Sequence, residues 1–258
     1  MADLYFLGTG GSVATEIRDN TSLLVDIADQ LILIDCPGSV VQKVKKLGFD
    51  PRQISTILVT HVHPDHIYGL PSLVHSLMLD EGLIEFYGSE ETIFFCQDLL
   101  DLFHLRDEKI KTRIRLIPAK PKKTERLSSA LEFFSLPVPH DSSSLALHFH
   151  FSGIKKDLVF SGDTPVYNPL FRMASSADYL IHDCSAPSRF FEQYPSLYKM
   201  HSHSLDLGRL CQEAGVKCLI PCHFFGELNF SLSEIEIEIK KNFSGKLIIP
   251  EDFTKITL

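Results

Sequence analysis

The sequence lacks an apolar run that approaches the roughly 20 residues needed to span a bilayer. Its first residues also lack the basic and apolar regions of a secretion signal. We therefore expect a cytoplasmic protein without a membrane partner. None of its six cysteines is spaced as a CxxC pair, and a chain of 258 residues with a core of its own does not need disulfides, so we expect reduced thiols.

Basic residues are outnumbered by acidic ones, and the net charge of −8 argues against a polyanion that spreads over the whole surface. One stretch departs from this balance, because nine Lys or Arg residues and three Asp or Glu residues lie between Arg106 and Arg126. A solvated strand and loop is the simpler interpretation of such a run. RNA binding through this stretch stays open as the alternative.

Linkers, internal repeats and low-complexity segments are absent from the sequence. With 44% apolar and 22% charged residues, as in an ordinary globular enzyme, residues 1–258 are predicted to form one domain. Apolar runs bounded by Gly, Pro, Asp or Asn predict strands at 4–7, 22–27, 31–34, 56–60, 84–87, 113–117, 131–136, 145–151, 158–160, 179–181, 218–220 and 246–249. Helices are predicted at 39–47, 71–79, 90–102, 205–214 and 233–240.

Several neighbouring predicted strands are separated by turns that are too short for a crossover, so a simple parallel sheet does not fit. The order of the elements favours an α/β fold in which helices pack outside two sheets. The predicted architecture is a four-layer αββα sandwich. Ser89 is the predicted N-cap of the helix at 90–102, and Gly215 follows the end of the helix at 205–214.

Four side chains that can bind a metal follow the fourth predicted strand within six residues: His61, His63, Asp65 and His66. Packing does not explain this density. His61 and His63 are two residues apart and point the same way if the extended backbone persists, whereas Pro64 redirects the later pair. The pattern predicts two adjacent metal sites, and imidazole with carboxylate ligands suits zinc, manganese or iron.

Further candidate ligands stand where other predicted strands end. These are His140, Asp163 in a Gly-Asp-Thr turn, and His223. Taken singly, each of them is equally well a turn or capping residue. Together they repeat the arrangement of the first cluster.

The motifs and their order resemble the metallo-β-lactamase superfamily and, within it, the ribonuclease Z-like phosphodiesterase branch, over almost the full length. The resemblance implies the metallo-β-lactamase fold and a metal-dependent hydrolase. The segments that carry it, besides the HxHxDH cluster and His140, are Phe6-Leu7-Gly8-Thr9-Gly10, Leu33-Ile34-Asp35-Cys36, Ser161-Gly162-Asp163-Thr164, Leu180-Ile181-His182-Asp183 and Cys222-His223-Phe224.

Carried over residue by residue, the resemblance implies two divalent metal ions, with zinc favoured over manganese or iron. In the family, a water or hydroxide between the two ions is the nucleophile. Asp65 is implied to help orient this nucleophile in addition to binding metal. The implied ligands are His61, His63 and His140 for one ion, Asp65, His66 and His223 for the other, and Asp163 as the bridge.

A non-ligand histidine near the scissile phosphate is a further feature of this branch. His201 lies 22 residues before His223, which is the interval that the branch keeps, whereas His203 departs from it by two. The resemblance implies that His201 contacts the phosphate or acts as general acid, and an N-cap or loop role is the alternative for either histidine. His182 and Asp183 match a loop near the site, where a role beside the ligands or the substrate is expected, although the family often has Glu at the position of Asp183.

The predicted reaction is hydrolysis of a phosphodiester in nucleotides, cyclic nucleotides or RNA. Enzymes of this branch that process the tRNA 3′ end carry a long arm between the positions of His140 and Asp163, where this chain has only 22 residues. A small nucleotide is therefore favoured over whole tRNA. Processing of tRNA and a thioester or lactam hydrolase are the alternatives, a redox diiron protein and a silent binding protein fit less well, and a homodimer would be usual for the branch.

Overall fold

The structure is a computed structural model that describes residues 2–175 and 177–258. No helix in these two ranges is long and apolar enough to cross a bilayer. The described strands are Ala2–Gly8 (β1), Ser22–Ile27 (β2), Gln30–Ile34 (β3), Ile54–Leu58 (β4), Leu83–Gly88 (β5), Arg113–Pro118 (β6), Glu125–Arg126 (β7), Leu131–Pro137 (β8), Leu145–Phe151 (β9), Lys156–Phe160 (β10), Tyr179–Asp183 (β11), Cys218–Cys222 (β12), Lys246–Leu247 (β13) and Lys255–Thr257 (β14). The described α-helices are Val40–Lys46 (α1), Pro64–Ile67 (α2), Leu70–Ser76 (α3), Glu90–Leu102 (α4), Asn168–Met173 (α5), Ser188–Gln193 (α6), Ser204–Ala214 (α7) and Leu232–Lys240 (α8).

These strands form two sheets whose connectivities mirror each other. The order is β14-β1-β2-β3-β4-β5-β6 in the first sheet and β13-β12-β11-β10-β9-β8-β7 in the second. In the first sheet β1 to β3 pair antiparallel and β3 to β6 pair parallel. In the second sheet β7 to β10 pair antiparallel and β10 to β13 pair parallel.

Apolar side chains on the facing sides of the sheets, such as Phe133 and Phe149, pack into a shared interior. Burial of one such phenylalanine contributes about 1.5–3 kcal/mol. The outer side of the first sheet is covered by α1, α3 and α4, with Val44 in the contact, and that of the second by α5, α7 and α8, with Leu207 in the contact. The predicted four-layer αββα sandwich is confirmed.

Some predicted elements differ from those observed. The strand predicted at 56–60 ends at Leu58, because the N–H of Thr60 donates to the side chain of Asp35, 2.7 Å away, and so leaves the ladder. Helices α5 and α6 were not predicted, since six residues are too few to display a helical period. The strand β14 was not predicted either, because three residues are too few to display the alternation of a strand.

Two helix boundaries agree with those predicted from the sequence. The hydroxyl of Ser89 accepts a hydrogen bond from the N–H of Thr92 at 3.1 Å, and α4 begins at the next residue. Gly215 has a φ of 69°, a left-handed conformation that suits glycine at the end of α7. The N-cap of α7 is His203, whose side chain accepts a hydrogen bond from the N–H of Asp206.

Candidate metal centre

Four of the predicted ligands leave the carboxyl end of β4. His61 and His63 lie in the loop beyond the strand, yet Nε2 of His61 is only 3.1 Å from Nδ1 of His63. Pro64 then begins α2, which carries Asp65 and His66. Proline is tolerated at this position because the first N–H groups of a helix have no partner within it. The turn separates the later pair from the earlier one, as the sequence predicted.

His140 joins His61 and His63 from the loop after β8. Its Nε2 lies 3.1 Å from Nδ1 of His63. A tetrahedral zinc ion with bonds of about 2.0–2.1 Å holds its nitrogens about 3.3–3.4 Å apart, so these three rings are spaced to fit one ion. The Nδ1 of His140 donates to the carbonyl oxygen of Met200 at 2.8 Å, which leaves its Nε2 lone pair for the metal.

Asp65, His66 and His223 form a second group. Oδ2 of Asp65 lies 3.4 Å from Nε2 of both histidines. The Nε2 of His66 is fully buried and forms no hydrogen bond with any described residue, an arrangement that is costly unless the nitrogen binds an ion. On the other side of the ring, Nδ1 of His66 donates to Asp35 at 2.8 Å and so turns Nε2 toward the centre. The residues of this group therefore fit a metal ion.

A tight turn presents Asp163 to both groups. Gly162 has a φ of 57°, and a Cβ on it would lie 2.9 Å from the carbonyl oxygen of Leu145, so only glycine fits. The next residue, Asp163, then points into the centre. Its Oδ2 lies 3.8 Å from Nε2 of His61, 3.9 Å from Nε2 of His140, 3.4 Å from Nε2 of His66 and 3.0 Å from Nε2 of His223.

His223 and Asp35 are held in left-handed backbone conformations, with φ of 64° and 59°. Such conformations cost of the order of 1–3 kcal/mol for residues other than glycine and persist where the surroundings fix them. His223 follows β12, and its conformation turns Nε2 toward Asp163. Asp35 follows β3 and faces His66. Two of the left-handed residues in the chain thus lie at the candidate metal centre.

The predicted general acid lies beside these ligands. Nδ1 of His201 donates to Oδ2 of Asp183 at 2.9 Å, and the His201 ring stacks on His223 with 5.3 Å between centroids. The structure therefore brings His201 and Asp183 to the centre. It does not bring His182 there, because the buried His182 ring stacks on Phe171 in the helical layer.

Two carboxylates that contact predicted ligands were given no role from the sequence. Asp35 accepts the hydrogen bond from His66 described above, and Oδ2 of Asp141 lies 3.5 Å from Nε2 of His63. Asp35 directly follows a buried strand, which is the signal that identified Asp163. Asp141 follows a ligand rather than a strand, and no comparable signal marks it.

Charges in the second group determine how its histidines are protonated in the metal-free protein. Burial disfavours the charged form of His223, but Asp163 and Asp65 outweigh burial and raise its pKa to about 10. Burial also opposes charge on His66, and Asp163 and Asp35 nevertheless raise its pKa well above the usual value. These carboxylates therefore favour the protonated form of both imidazoles before metal binds.

We expect the two metal-binding steps to differ in pH dependence. Burial lowers the pKa of His61 and His140, so these ligands are already neutral at about pH 7, whereas His66 and His223 must each release a proton. The zinc affinity of the site with His66 and His223 should thus rise steeply from about pH 6.5 to 8, by about tenfold per pH unit for each proton released. The zinc affinity of the site with His61 and His140 should rise less. Competition with a chelator at several pH values measures both slopes. Equal slopes would contradict this division of the ligands.

Comparison with known proteins places this site in a family. Residues 2–206, well over half of the chain, match the family described as Anti-Pycsar protein Apyc1. The chain belongs to this family. The Apyc1-family chain is also 25% identical to a ribonuclease Z of Methanosarcina acetivorans over 308 positions, which cover 100% of this chain and 98% of that protein.

Solved structures share the Apyc1-family chain's fold. The metallo-β-lactamase fold protein YhfI from Bacillus subtilis superposes with a TM-score of 0.84 at 20% identity, over 100% of both chains. The short form of human tRNase Z superposes with a TM-score of 0.76 at 20% identity, over 99% of this chain and 98% of that one. The resemblance predicted from the motifs is confirmed, and with it the expectation that the Apyc1-family chain is a metal-dependent hydrolase.

Proposed function

We propose that the chain hydrolyses phosphodiester bonds in nucleotides, cyclic nucleotides or RNA with two divalent metal ions, zinc favoured. The observation that supports this best is the position of Asp163, whose Oδ2 lies within 3.0–3.9 Å of ligand nitrogens from both groups. When bound, two such ions supply a nucleophile at neutral pH and neutralise charge on the phosphate. The proposed ligands are His61, His63, Asp65, His66, His140, Asp163 and His223.

His201 is the proposed proton donor. Its Nδ1 donates to Asp183, no hydrogen bond joins its Nε2 to another described residue, and its ring centroid lies 4.9 Å from that of the proposed ligand His140. An imidazole in this position can protonate the leaving oxygen or donate to a phosphate oxygen. Asp183 is a positioning residue, since it acts through His201. Asp65 is proposed to orient the nucleophile in addition to binding metal.

The chain between His140 and Asp163 favours a small substrate. Its residues all lie in the described part of the chain, and most of them belong to β9 and β10, which pair directly from Phe151 opposite Lys156. This hairpin leaves no protruding arm to grip a tRNA. The alignment with the archaeal ribonuclease Z also runs over 308 positions, although this chain has 258 residues, so the relative carries segments that are missing here.

Processing of the tRNA 3′ end is the second candidate function, because full-length relatives are named ribonuclease Z. The basic stretch from Arg106 to Arg126 gives it limited support. Five of the nine basic side chains pair with neighbouring carboxylates, which weakens the positive field that RNA would meet. These five are Arg106, Lys109, Lys111, Arg115 and Lys123.

A panel of substrates tests the proposal. The protein reconstituted with zinc or manganese should hydrolyse bis(p-nitrophenyl) phosphate and at least one 2′,3′- or 3′,5′-cyclic nucleotide, and chelator treatment should abolish both activities. Precursor tRNA, a thioester and a β-lactam complete the panel. Cleavage of precursor tRNA alone would favour the second candidate, and activity on the thioester or lactam alone would overturn the proposed reaction.

A further inference from the structure

A turn after β8 joins the two loops that carry the first group of proposed ligands, which are His61, His63 and His140. The hydroxyl of Ser143 accepts a hydrogen bond from the N–H of Val62, the residue that precedes His63, at 3.1 Å. The same hydroxyl donates to Oδ1 of Asp141 at 2.8 Å, and Asp141 directly follows His140 in the chain. The turn therefore fixes the loop after β4 and the loop after β8 against each other.

Asp141 is the acceptor at the centre of this turn. Its Oδ1 accepts from the N–H of Ser143 at 2.7 Å and from the hydroxyl of Ser144 at 2.8 Å, in addition to the hydroxyl of Ser143. Three donors on one oxygen orient the carboxylate and leave Oδ2 for a different contact. Oδ2 lies 3.5 Å from Nε2 of His63.

Within the first group, His63 is the ligand that packing restrains least. Its side chain is 39% exposed, whereas those of His61 and His140 are 0% and 1% exposed. An exposed ring must lose rotational freedom before it can hold an ion, which costs conformational entropy. Nδ1 of His63 lies 3.1 Å from Nε2 of each of the other two histidines and is the atom placed to bind. Its Nε2 then carries the proton and can donate it to Asp141.

We propose that Asp141 is a positioning residue that holds His63 for the ion of the first group and so sets the zinc affinity of that site. The inference rests on the proposed function, because it takes His63 as a ligand. A carboxylate behind a metal-bound imidazole typically raises metal affinity about 10–100-fold. The second group is oriented by a different carboxylate, since His66 donates to Asp35. Loss of Asp141 should therefore weaken one site and spare the other.

Asp141→Asn separates the contact with His63 from the turn. The amide oxygen of asparagine can still accept from the two serines, whereas the amide nitrogen on the side of His63 is a donor and cannot accept the proton of Nε2. Zinc affinity of the first site should fall about 10–100-fold, and that of the second should stay within about threefold. Competition with a chelator measures both affinities. Asp157→Asn is the matched control, because Asp157 contacts His148 and His150 instead of proposed ligands, and it should change neither affinity.

The tautomer of His63 provides a measurement that is independent of activity. Nitrogen NMR of the zinc-loaded wild type should show the proton of His63 on Nε2 and the ion on Nδ1, and Asp141→Asn should broaden these signals because the ring is no longer held. A proton on Nδ1 in the wild type would overturn the inference without any variant. His63→Ala identifies the affected site, since adding Asp141→Asn to it should cause no further loss of zinc affinity.

The remaining outcomes are also decisive. Unchanged affinities in Asp141→Asn would overturn the inference, and an equal loss at both sites, or a further loss in the His63→Ala background, would show that Asp141 supports the fold of the centre instead of His63. If the wild type binds two zinc ions but hydrolyses no phosphodiester, the proposed function fails, and the affinities and the tautomer still decide the role of Asp141. A wild type that binds no zinc would overturn both.

Discussion

Replacement of Asp163 by alanine should leave fewer than two bound metal ions per chain and reduce phosphodiester hydrolysis by more than about 100-fold. The variant loses a carboxylate oxygen that lies close to nitrogens of both proposed ligand groups. It also loses the negative charge that opposes repulsion between two dications. Elemental analysis after reconstitution with zinc or manganese measures the metal content, and we expect two equivalents in the wild type, about 3.5–4 Å apart in a metal-loaded crystal.

Asp157→Ala provides the matched control. Asp157 lies on β10, the strand that leads to Asp163, and its Oδ1 accepts hydrogen bonds from His148 and His150, far along the strand from the ligands. This variant should keep both ions and its activity. An Asp163→Ala protein that is active and binds two equivalents of metal would rule out the bridging assignment.

Replacement of His201 by alanine should leave the metal content unchanged and slow turnover by about 10²–10⁴-fold on substrates whose leaving oxygen is strongly basic. The loss should be much smaller with p-nitrophenyl esters, because p-nitrophenolate leaves without a proton. Comparison of kcat for a cyclic nucleotide and for bis(p-nitrophenyl) phosphate measures the difference. A uniform loss on both substrates would indicate that His201 binds the phosphate instead.

His203→Ala is the control for the neighbouring histidine. His203 caps α7 and packs against Phe191 and Tyr198, so its loss should lower the free energy of unfolding by about 1 kcal/mol. The ratio of kcat for the two substrates should stay as in the wild type. Thermal unfolding and the same two substrates test this. A leaving-group-selective defect in His203→Ala, with none in His201→Ala, would refute the assignment made from the 22-residue interval.

The sequence pointed to the candidate metal centre because the proposed ligands are dense in one loop and otherwise stand at strand ends. His61 and His63 occur within one hexapeptide, and Asp163 follows a buried apolar strand. The support of these ligands was harder to predict. Met200 orients His140 through a carbonyl oxygen, which every residue possesses, so no residue type announces that contact.

An apolar cavity of about 550 Å³ beside the loop that carries His61 and His63 could not be predicted for a different reason. Its walls come from that loop, from α3 and from α4, which are separate in the chain. In the sequence, Phe95 and Phe103 are indistinguishable from apolar residues of a helix that packs against a sheet. Only their exposure in the folded chain separates them from core residues.

The mirrored order of the two sheets places the proposed metal ions on a seam between two halves of the chain. The half that contains β4 supplies His61 to His66, and the half that contains β10 and β12 supplies Asp163 and His223. An ion held by ligands of both halves, such as the one proposed at His66 and His223, closes a loop of more than a hundred residues. The entropy of closing so long a loop must already have been lost before the ion binds tightly. Metal binding is therefore expected late in folding, after the two halves have docked, and its free energy then adds to the stability of their interface.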